Sequence, residues 1–193
     1  MINYYQVSPG SCGSCALEEL FKGRINTLPW NAHERSAPSP AEGSKVCYLF
    51  TDPYNIILSY FRRNFLVSPY DHAHHISGAL DVLSERSSWD ISSFLDLPED
   101  PFMLESHFDG WYNHSQRNYD IMFLRYDSLK ETLPSLCEWY GYPSGKSLEF
   151  TFKPRASDWT KQPPHIQEGL HRMYGSFREK ILSLPHVTVN PCL

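Results

Sequence analysis

The sequence lacks the features that would place it in a membrane, secreted or general nucleic-acid-binding class. No apolar run approaches the length that spans a bilayer, so we expect no membrane-spanning helix. The opening M-I-N-Y-Y-Q-V contains no basic segment followed by an apolar one, so no secretory signal is expected. Lys and Arg number 17 against 22 Asp and Glu, a formal net charge of −5. This balance argues against a general nucleic-acid binder, although local basic clusters can still hold a small anion.

Cysteine is present, but not in the pattern of a disulfide framework or a zinc site. The five cysteines are an odd number and are spread along the chain, so we expect free thiols and a reducing, cytoplasmic compartment. Cys12 and Cys15 form a C-x-x-C pair, and no second such pair occurs to complete a zinc site. The spacing of D-H-A-H-H at 71–75 permits metal contact, but its place after a proline favours an ordinary loop. No metal is expected.

What the sequence does have is an alternation of strand and helix patterns. Its 193 residues, 41% of them hydrophobic, suit a single domain over 1–193 with a real core. Strands are predicted at 2–7, 46–50 and 119–126, and 148–154 is either a strand or an extended segment. This alternation predicts an α/β fold with a mainly parallel sheet flanked by helices. Helices are predicted at 14–22, from Pro53 after an N-cap at Asp52, at 76–86, at 90–96, at 102–117, from Ser128 to a stop at Gly141, and at 163–183.

Three features follow predicted strands at the edge of the sheet where ligands usually bind. They are the small-residue loop at 8–15, the T-D-P turn at 51–53, and the residues around Tyr126. In parallel sheets ligands bind outside the carboxyl ends of the strands. We therefore expect these three segments to meet around a ligand.

The loop at 8–15 has two chemical interpretations. Gly10 and Gly13 allow a tight turn close to a ligand, Ser11 and Ser14 supply hydroxyls, and a helix follows, which together favour phosphate binding. The loop contains no G-K-[ST] and is therefore not a Walker A sequence. Alternatively, a C-x-x-C pair between a strand and a helix resembles the active site of thioredoxin-like oxidoreductases. If phosphate binding is correct, the two cysteines are small residues in a tight turn.

Four segments resemble motifs of the sulfotransferases that use 3′-phosphoadenosine 5′-phosphosulfate (PAPS), and they occur along the chain in the same order as in that family. T-D-P-Y-N-I-I-L-S-Y at 51–60 resembles the R-x-P-x-D-x-x-x-S-Y segment that holds the 3′-phosphate. M-F-L-R-Y-D-S-L-K at 122–130 resembles F-x-x-Y-E-D-L-K, and V-S-P-G-S-C-G-S-C at 7–15 stands in the place of the 5′-phosphosulfate loop P-K-x-G-T-T-W. F-K-P-R-A-S-D-W at 152–159 resembles R-K-G-x-x-G-D-W, which closes over the nucleotide. The resemblance implies a three-layer P-loop-like fold.

The resemblance also implies roles for individual residues. Pro9 matches the loop proline, Ser14 the hydroxyl that contacts the 5′-phosphate, and Ser59 the serine that binds the 3′-phosphate. Tyr126 matches the tyrosine near the adenine, and Lys153 the basic residue of the late segment. The donor contacts implied in this way are Pro9, Gly10, Ser11, Cys12, Gly13, Ser14, Cys15, Thr51, Ser59, Tyr126, Lys153 and Arg155.

The chain departs from the family pattern at four of the matched positions. Gly10 stands where the family has a Lys that supports the leaving group, and Thr51 stands where it has an Arg. Cys15 replaces a Trp, and Phe152 replaces an Arg. Charge that develops on the leaving phosphate then needs another cation or additional N–H donors. With Thr51 in place of the arginine, a 3′-phosphate loses a bidentate partner, for which Arg62, Arg63, Lys153 or Arg155 could substitute.

The implied activity is transfer of a sulfuryl group from PAPS to a hydroxyl or amine of a small-molecule or glycan acceptor. Such transfer needs a base near the acceptor. His33 lies in the region where the family places its catalytic His, and Glu34 is the carboxylate alternative. His33 and Ser14 are thus the expected catalytic residues. The alternatives are a sulfotransferase-like protein that binds a nucleotide without turnover, and a thiol oxidoreductase that uses Cys12 and Cys15.

Two aromatic segments have both a structural and a functional interpretation. Trp111 and Tyr112 could wall an acceptor pocket, but aromatic residues at helical spacing favour a place in the core. Asp158 and Trp159 either order a segment over the nucleotide or form a helix cap with a packing tryptophan.

Overall fold

The structure of the protein is a computed structural model, which describes residues 3–22, 43–63, 90–142 and 156–190. Within these ranges strands and helices alternate as predicted, in an α/β arrangement. The strands are β1 (Tyr4–Val7), β2 (Lys45–Phe50), β3 (Asp120–Arg125) and β4 (Val187–Asn190). The helices are α1 (Ser14–Leu20), α2 (Pro53–Arg62), α3 (Ile91–Leu95), α4 (Leu104–Tyr112), α5 (Leu129–Trp139) and α6 (Pro164–Ser183). The segments predicted at 76–86 and 148–154 lie outside the described residues.

The described strands form one open sheet in the order β1-β2-β3-β4. β1 pairs with β2, and β2 with β3, in parallel, whereas β4 is antiparallel to β3. The mainly parallel sheet is therefore confirmed. Residues 46–49 of β2 are fully buried, as a continuous apolar run in a central parallel strand requires.

Helices cover both faces of this sheet. Tyr48 of β2 and its register partner Phe123 of β3 share one face, where the ring of Phe108 on α4 lies 5.7 Å and 6.0 Å from theirs. Lys45 has the opposite parity along β2 and therefore points to the other face. There its ammonium lies 4.8 Å from the ring centre of Trp139 on α5. The flanking helices expected from the sequence are thus present on both sides.

The start of α2 is as predicted, and one carboxylate fixes it. Asp52 is the N-cap: its Oδ1 accepts a hydrogen bond from the Tyr54 N–H at 3.0 Å, and Pro53 occupies the first helical position. The second oxygen, Oδ2, accepts from Arg178 Nε on α6 at 2.9 Å. Asp52 therefore joins the helix after β2 to the long C-terminal helix.

α6 is the longest described helix and begins in a Pro-Pro pair, as predicted. It runs for 20 residues, with Pro164 in its first turn. Its buried side includes Leu170, Tyr174, Phe177 and Ile181, at the three-to-four-residue spacing of an amphipathic helix. Among the described helices, none has both the length and the apolar character needed to cross a bilayer.

Several element boundaries differ from the prediction. α4 begins at Leu104 rather than 102 because Met103 has a left-handed backbone with φ 53°, which a right-handed helix cannot contain. It ends at Tyr112 rather than 117. Trp111 on α4 is fully buried in the core, which confirms the structural interpretation of that residue. β4 was not predicted, because a four-residue V-T-V-N segment is weak as a strand pattern without its partner.

Two glycines of α6 provide a test of the packing between α3 and α6. A Cβ at Gly169 would lie 2.9 Å from Leu95 Cβ, whereas a Cβ at Gly175 would meet only the ring of His171, at 3.1 Å. We expect Gly169→Ala to lower the free energy of unfolding by about 1–2 kcal/mol, because overpacking outweighs the gain in helix propensity. Gly175→Ala is the matched control and should change it by less than about 1 kcal/mol. Urea unfolding measures both, and equal effects would contradict the close helix contact.

Candidate functional site

A cleft of about 370 Å³ lies at the edge of the sheet where β1, β2 and β3 end. The loop after β1, the α2 helix after β2 and Tyr126 after β3 all contribute to its walls, as parallel strands predict. A fourth contribution comes from residues 156–157. The described lining consists of Ser11, Gly13, Ser14, Cys15, Ala16, Asn55, Ser59, Arg62, Arg63, Tyr126, Ala156 and Ser157.

The cleft brings together half of the residues that the sequence singled out as donor contacts. Its lining includes Ser11, Gly13, Ser14, Cys15, Ser59 and Tyr126. Pro9, Gly10, Cys12 and Thr51 are buried behind this lining. His33, Glu34, Phe152, Lys153 and Arg155 lie outside the described residues, so their roles remain predictions.

Sequence reasoning missed Asn55 and Ser157 as members of the cleft. Asn55 lies one helical turn before Ser59 on α2, and both side chains line the cleft. The i, i+4 spacing on a helix was the signal that could have found it. Ser157 is placed by a tertiary contact, because its Oγ accepts from Arg62 Nε at 3.1 Å.

The loop after β1 depends on glycine at the position where the family pattern has lysine. Gly10 has φ 90° and Gly13 φ 83°, and Ser11 between them has φ 55°. Such values are accessible to glycine and costly for most other residues. Inside the loop, the Gly10 N–H donates to Ser8 Oγ at 3.2 Å and its carbonyl accepts from Cys12 Sγ at 3.0 Å. Gly10 therefore contributes a turn to the loop and no cation.

Tyr126 lies directly against Gly13. A Cβ placed on Gly13 would be 2.1 Å from Tyr126 Cε2 and 2.2 Å from its Cζ, far inside any normal contact. The aromatic ring thus occupies the space that a side chain at Gly13 would fill. The residue after β3 is in this way packed onto the loop after β1, and both line the cleft.

A buried tyrosine of α2 holds the loop from behind. The Tyr60 hydroxyl donates a hydrogen bond to the Pro9 carbonyl oxygen, and its ring packs edge-on against Phe102 at 5.1 Å. Burial raises the pKa of Tyr60 well above its ordinary value, so the hydroxyl keeps the proton that it donates. The loop is therefore anchored to the helix that carries Ser59.

The charges of the cleft suit an anion. Among its described lining residues, Arg62 and Arg63 are cationic and none is acidic. Arg62 uses one N–H on Ser157, and a guanidinium has five N–H donors in all. Ser59 is a buried member of the same lining, and the Ser11 hydroxyl is buried without a hydrogen-bond partner among the described residues. Two guanidinium groups in a lining without a carboxylate suit an anionic ligand.

The segment after 155 is docked on α2 beside the cleft. The Trp159 N–H donates to Asn55 Oδ1 at 3.2 Å, and its ring packs edge-on against Tyr54 at 5.2 Å. The Arg178 guanidinium lies 4.9 Å from the ring centres of both Tyr54 and Trp159, a cation–π arrangement. Asp158 caps the short turn that follows, accepting from the Thr160 N–H. The helix cap and packing tryptophan are thus confirmed in this segment.

Thr51 and Cys12 are buried, whereas Cys15 lines the cleft. Thr51 is buried, and its hydroxyl donates to Asp127 Oδ1 at 3.4 Å. Cys12 is fully buried, whereas Cys15 is exposed in the first turn of α1. In a C-x-x-C oxidoreductase the attacking thiolate must be accessible to its substrate. The first cysteine of this pair is the buried one.

Comparison with known proteins adds no family to this geometry. No protein-family model matches the chain, and a search of the curated proteins gave no match. The functional argument therefore depends on the residues of the cleft themselves.

The contact between Gly13 and Tyr126 can be measured against a matched glycine. Gly43 also has a left-handed backbone, with φ 75°, but a Cβ there would meet nothing within 4 Å. Gly43→Ala should therefore lower the free energy of unfolding only by the penalty for a left-handed backbone, about 1–2 kcal/mol. We expect Gly13→Ala to cost about 2–4 kcal/mol, because the Tyr126 ring must also move. Equal losses of unfolding free energy in urea would show that the ring does not press on the glycine.

Proposed function

We propose that this protein binds PAPS in the cleft and transfers its sulfuryl group to a hydroxyl or amine of a small-molecule or glycan acceptor. The observation that carries the proposal is the composition of the cleft. Ser14, Ser59, Arg62 and Arg63 come together at the carboxyl ends of parallel strands, and none of the other described lining residues is acidic. The matched motifs thus converge on one anion-binding cleft although they are far apart in the chain.

The residues present fit the two anionic ends of such a donor. Ser11 and Ser14 are on the loop side and would hold the 5′-phosphosulfate. Ser59, Arg62 and Arg63 are on the α2 side and would hold the 3′-phosphate. Arg62 and Arg63 would thereby replace the arginine that the motif has at the position of Thr51. Charge-assisted hydrogen bonds from guanidinium groups are well suited to phosphate.

The proposal includes a three-layer P-loop-like fold. Its support is the parallel order of β1, β2 and β3, with helices against both faces of the sheet. A small-residue loop between the first strand and a helix completes the pattern at the cleft.

The donor supplies an activated sulfuryl group, and the chain must supply a base and charge stabilisation. We assign the base to His33, with Glu34 as the alternative, on the motif match alone. Arg62 and Arg63 are the described cations that line the cleft, and Lys153 and Arg155 are the further cations that the motif match implies. Because Arg62 and Arg63 are assigned to the 3′-phosphate, the negative charge that gathers on the departing 5′-phosphate would need another cation or additional N–H donors.

A second candidate is binding of the same nucleotide without turnover. Two observations favour it over a fully active enzyme. Gly10 replaces the lysine and is part of a glycine turn, with φ 90°. Thr51 replaces the arginine and is buried, hydrogen-bonded to Asp127. A thiol oxidoreductase remains the third candidate, and the complete burial of Cys12 is an observation against it.

Calorimetric titration with the product nucleotide, 3′-phosphoadenosine 5′-phosphate, tests the donor site. We expect micromolar binding that AMP, which lacks the 3′-phosphate, does not reproduce. Ser59→Ala should weaken binding about tenfold, because it removes a hydrogen bond to a charged group. Ser135→Ala, at an exposed position of α5, is the matched control and should leave the affinity unchanged. Absence of binding, or equal binding of AMP, would refute the donor assignment.

Turnover separates the enzyme from the nucleotide-binding protein. With radiolabelled PAPS and a panel of phenols, amines and sugars, the enzyme proposal predicts a labelled acceptor and its loss in His33→Ala. Binding of the product nucleotide without any labelled acceptor, and without release of sulfate, would favour the second candidate.

Thiol labelling offers an independent test of which cysteine lines the cleft. Cys15 is exposed in the cleft, whereas burial raises the pKa of Cys47 to about 12 and also raises the pKa of Cys137. Among the four cysteines that the structure describes, we expect N-ethylmaleimide to modify Cys15 first, as peptide mapping by mass spectrometry would show. Saturating product nucleotide should slow the modification of Cys15 at least tenfold and leave Cys137 unaffected. Protection at both cysteines would point to a global effect instead of occupancy of the cleft.

A further inference from the structure

A second cavity lies between α6 and the segment that joins α3 to α4, and it has a different character from the cleft. Its volume is about 540 Å³, within the range of roughly 300–1,000 Å³ that small-molecule sites occupy. One wall is the turn between α3 and α4, residues 97–106, and the other is the side of α6 that carries Met173, Tyr174 and Phe177. None of its lining residues lines the cleft, so the inference below does not rest on the proposed function.

The two walls of this cavity are joined by the half-buried carboxylate of Asp100. Asp100 Oδ1 accepts from the Phe102 N–H at 2.9 Å and from the Tyr174 hydroxyl at 2.6 Å, and Oδ2 accepts from the Leu104 N–H at 2.8 Å. Burial raises the pKa of Asp100, and these hydrogen bonds oppose the shift. The Asp100 carboxylate therefore ties the turn before α4 to Tyr174 on α6. The cavity lies between this turn and α6.

The turn is also held in an unusual backbone conformation. Met103 has φ 53°, which costs of order 1–3 kcal/mol for a residue other than glycine and is found where surrounding structure enforces it. Its side chain lines the cavity together with Met173 from the opposite wall. Methionine side chains adapt to the shape of an apolar ligand and are common at such binding surfaces.

The charge on the lining has one sign. Glu99, Asp100 and Glu105 line the cavity, and no cationic residue is among the described lining residues. Asp100 is saturated by the hydrogen bonds above, and Glu105 is paired with Lys180 at 3.0 Å. Glu99 is exposed and takes part in neither the hydrogen bonds of Asp100 nor the ion pair of Glu105. An apolar interior with a carboxylate at its mouth suits a ligand with a hydrophobic body and one positive charge.

We propose that this cavity binds a hydrophobic amine, with its apolar body between Met103 and Met173 and its ammonium beside Glu99. The body contacts both methionine side chains and Phe177, and the ammonium lies at the solvent end. The site is separate from the nucleotide cleft and carries a different class of ligand.

Methyl NMR of methionine-labelled protein tests this directly. The chain has four methionines, of which Met103 and Met173 line the cavity, whereas Met122 is buried in β3 and serves as an internal reference. The probe is 4-phenylbutylamine, compared with the neutral 4-phenylbutanol and the anionic 4-phenylbutyrate. We expect the Met103 and Met173 methyl signals to shift with the amine while Met122 does not. The amine should bind about threefold more tightly than the alcohol, and the carboxylate most weakly.

Variants assign the binding to this cavity. Met173→Trp should fill the cavity and abolish the amine-induced shift of the remaining Met103 methyl signal. Ser106→Trp fills the cavity from the opposite wall and provides the same test if the first variant does not fold. Glu99→Gln should weaken the amine about threefold and leave the alcohol unchanged. Glu168→Gln, at an exposed position of α6, should change neither. Unshifted Met103 and Met173 signals at millimolar amine, binding that survives the tryptophan variants, or equal affinity for amine and carboxylate would each overturn the proposal.

Discussion

The cleft depends first on the contact between Gly13 and the ring of Tyr126. The ring occupies the volume of the missing side chain, with 2.1 Å between its Cε2 and the position of a Cβ. This contact sets the distance between the end of β3 and the loop after β1, and therefore the width of the cleft. Tyr60 fixes the same loop from the α2 side through the Pro9 carbonyl. Between them, the two tyrosines position the loop relative to Ser59 without any charged group, whereas on another wall Arg62 donates to Ser157.

A second constraint, centred on Asp52, governs the opposite wall. Its carboxylate caps α2 and pairs with Arg178, whose guanidinium lies against the rings of Tyr54 and Trp159. The segment that contributes Ala156 and Ser157 to the cleft is thereby tied to α2 and to α6. The Asp52–Arg178 ion pair and the contact between Gly13 and Tyr126 act on different walls of the cleft. The cleft is thus supported independently from the sheet side and from the helical side.

The elements that the sequence predicts correctly are those determined by interactions between residues that are close together in the chain. β2 was predictable because a buried parallel strand is a continuous apolar run, and the start of α2 because Asp52 and Pro53 form a cap by themselves. β4 and the start of α4 were not, since β4 is defined by pairing with β3 and α4 by the left-handed Met103. For the cleft, the motifs predicted Ser14, Ser59 and Tyr126. Asn55 was within reach of the i, i+4 spacing to Ser59 on α2, whereas the contributions of Ser157 and Arg178 depend on tertiary contacts that no short window of sequence contains.

The long reach of the Asp52–Arg178 pair has a consequence for how the molecule forms. The two residues are separated by 126 positions in the chain, and the hydrogen bond from Tyr60 to Pro9 spans 51. Contacts of large sequence separation must overcome loop-closure entropy before they contribute, so they form late in folding. During synthesis, which begins at the amino terminus, all residues of α2 have emerged long before Arg178 is available to pair with Asp52. The contacts that place Ser157 and Trp159 against α2 can form only once residues 157–159 have emerged, and the Arg178 contacts that link them to α6 come later still.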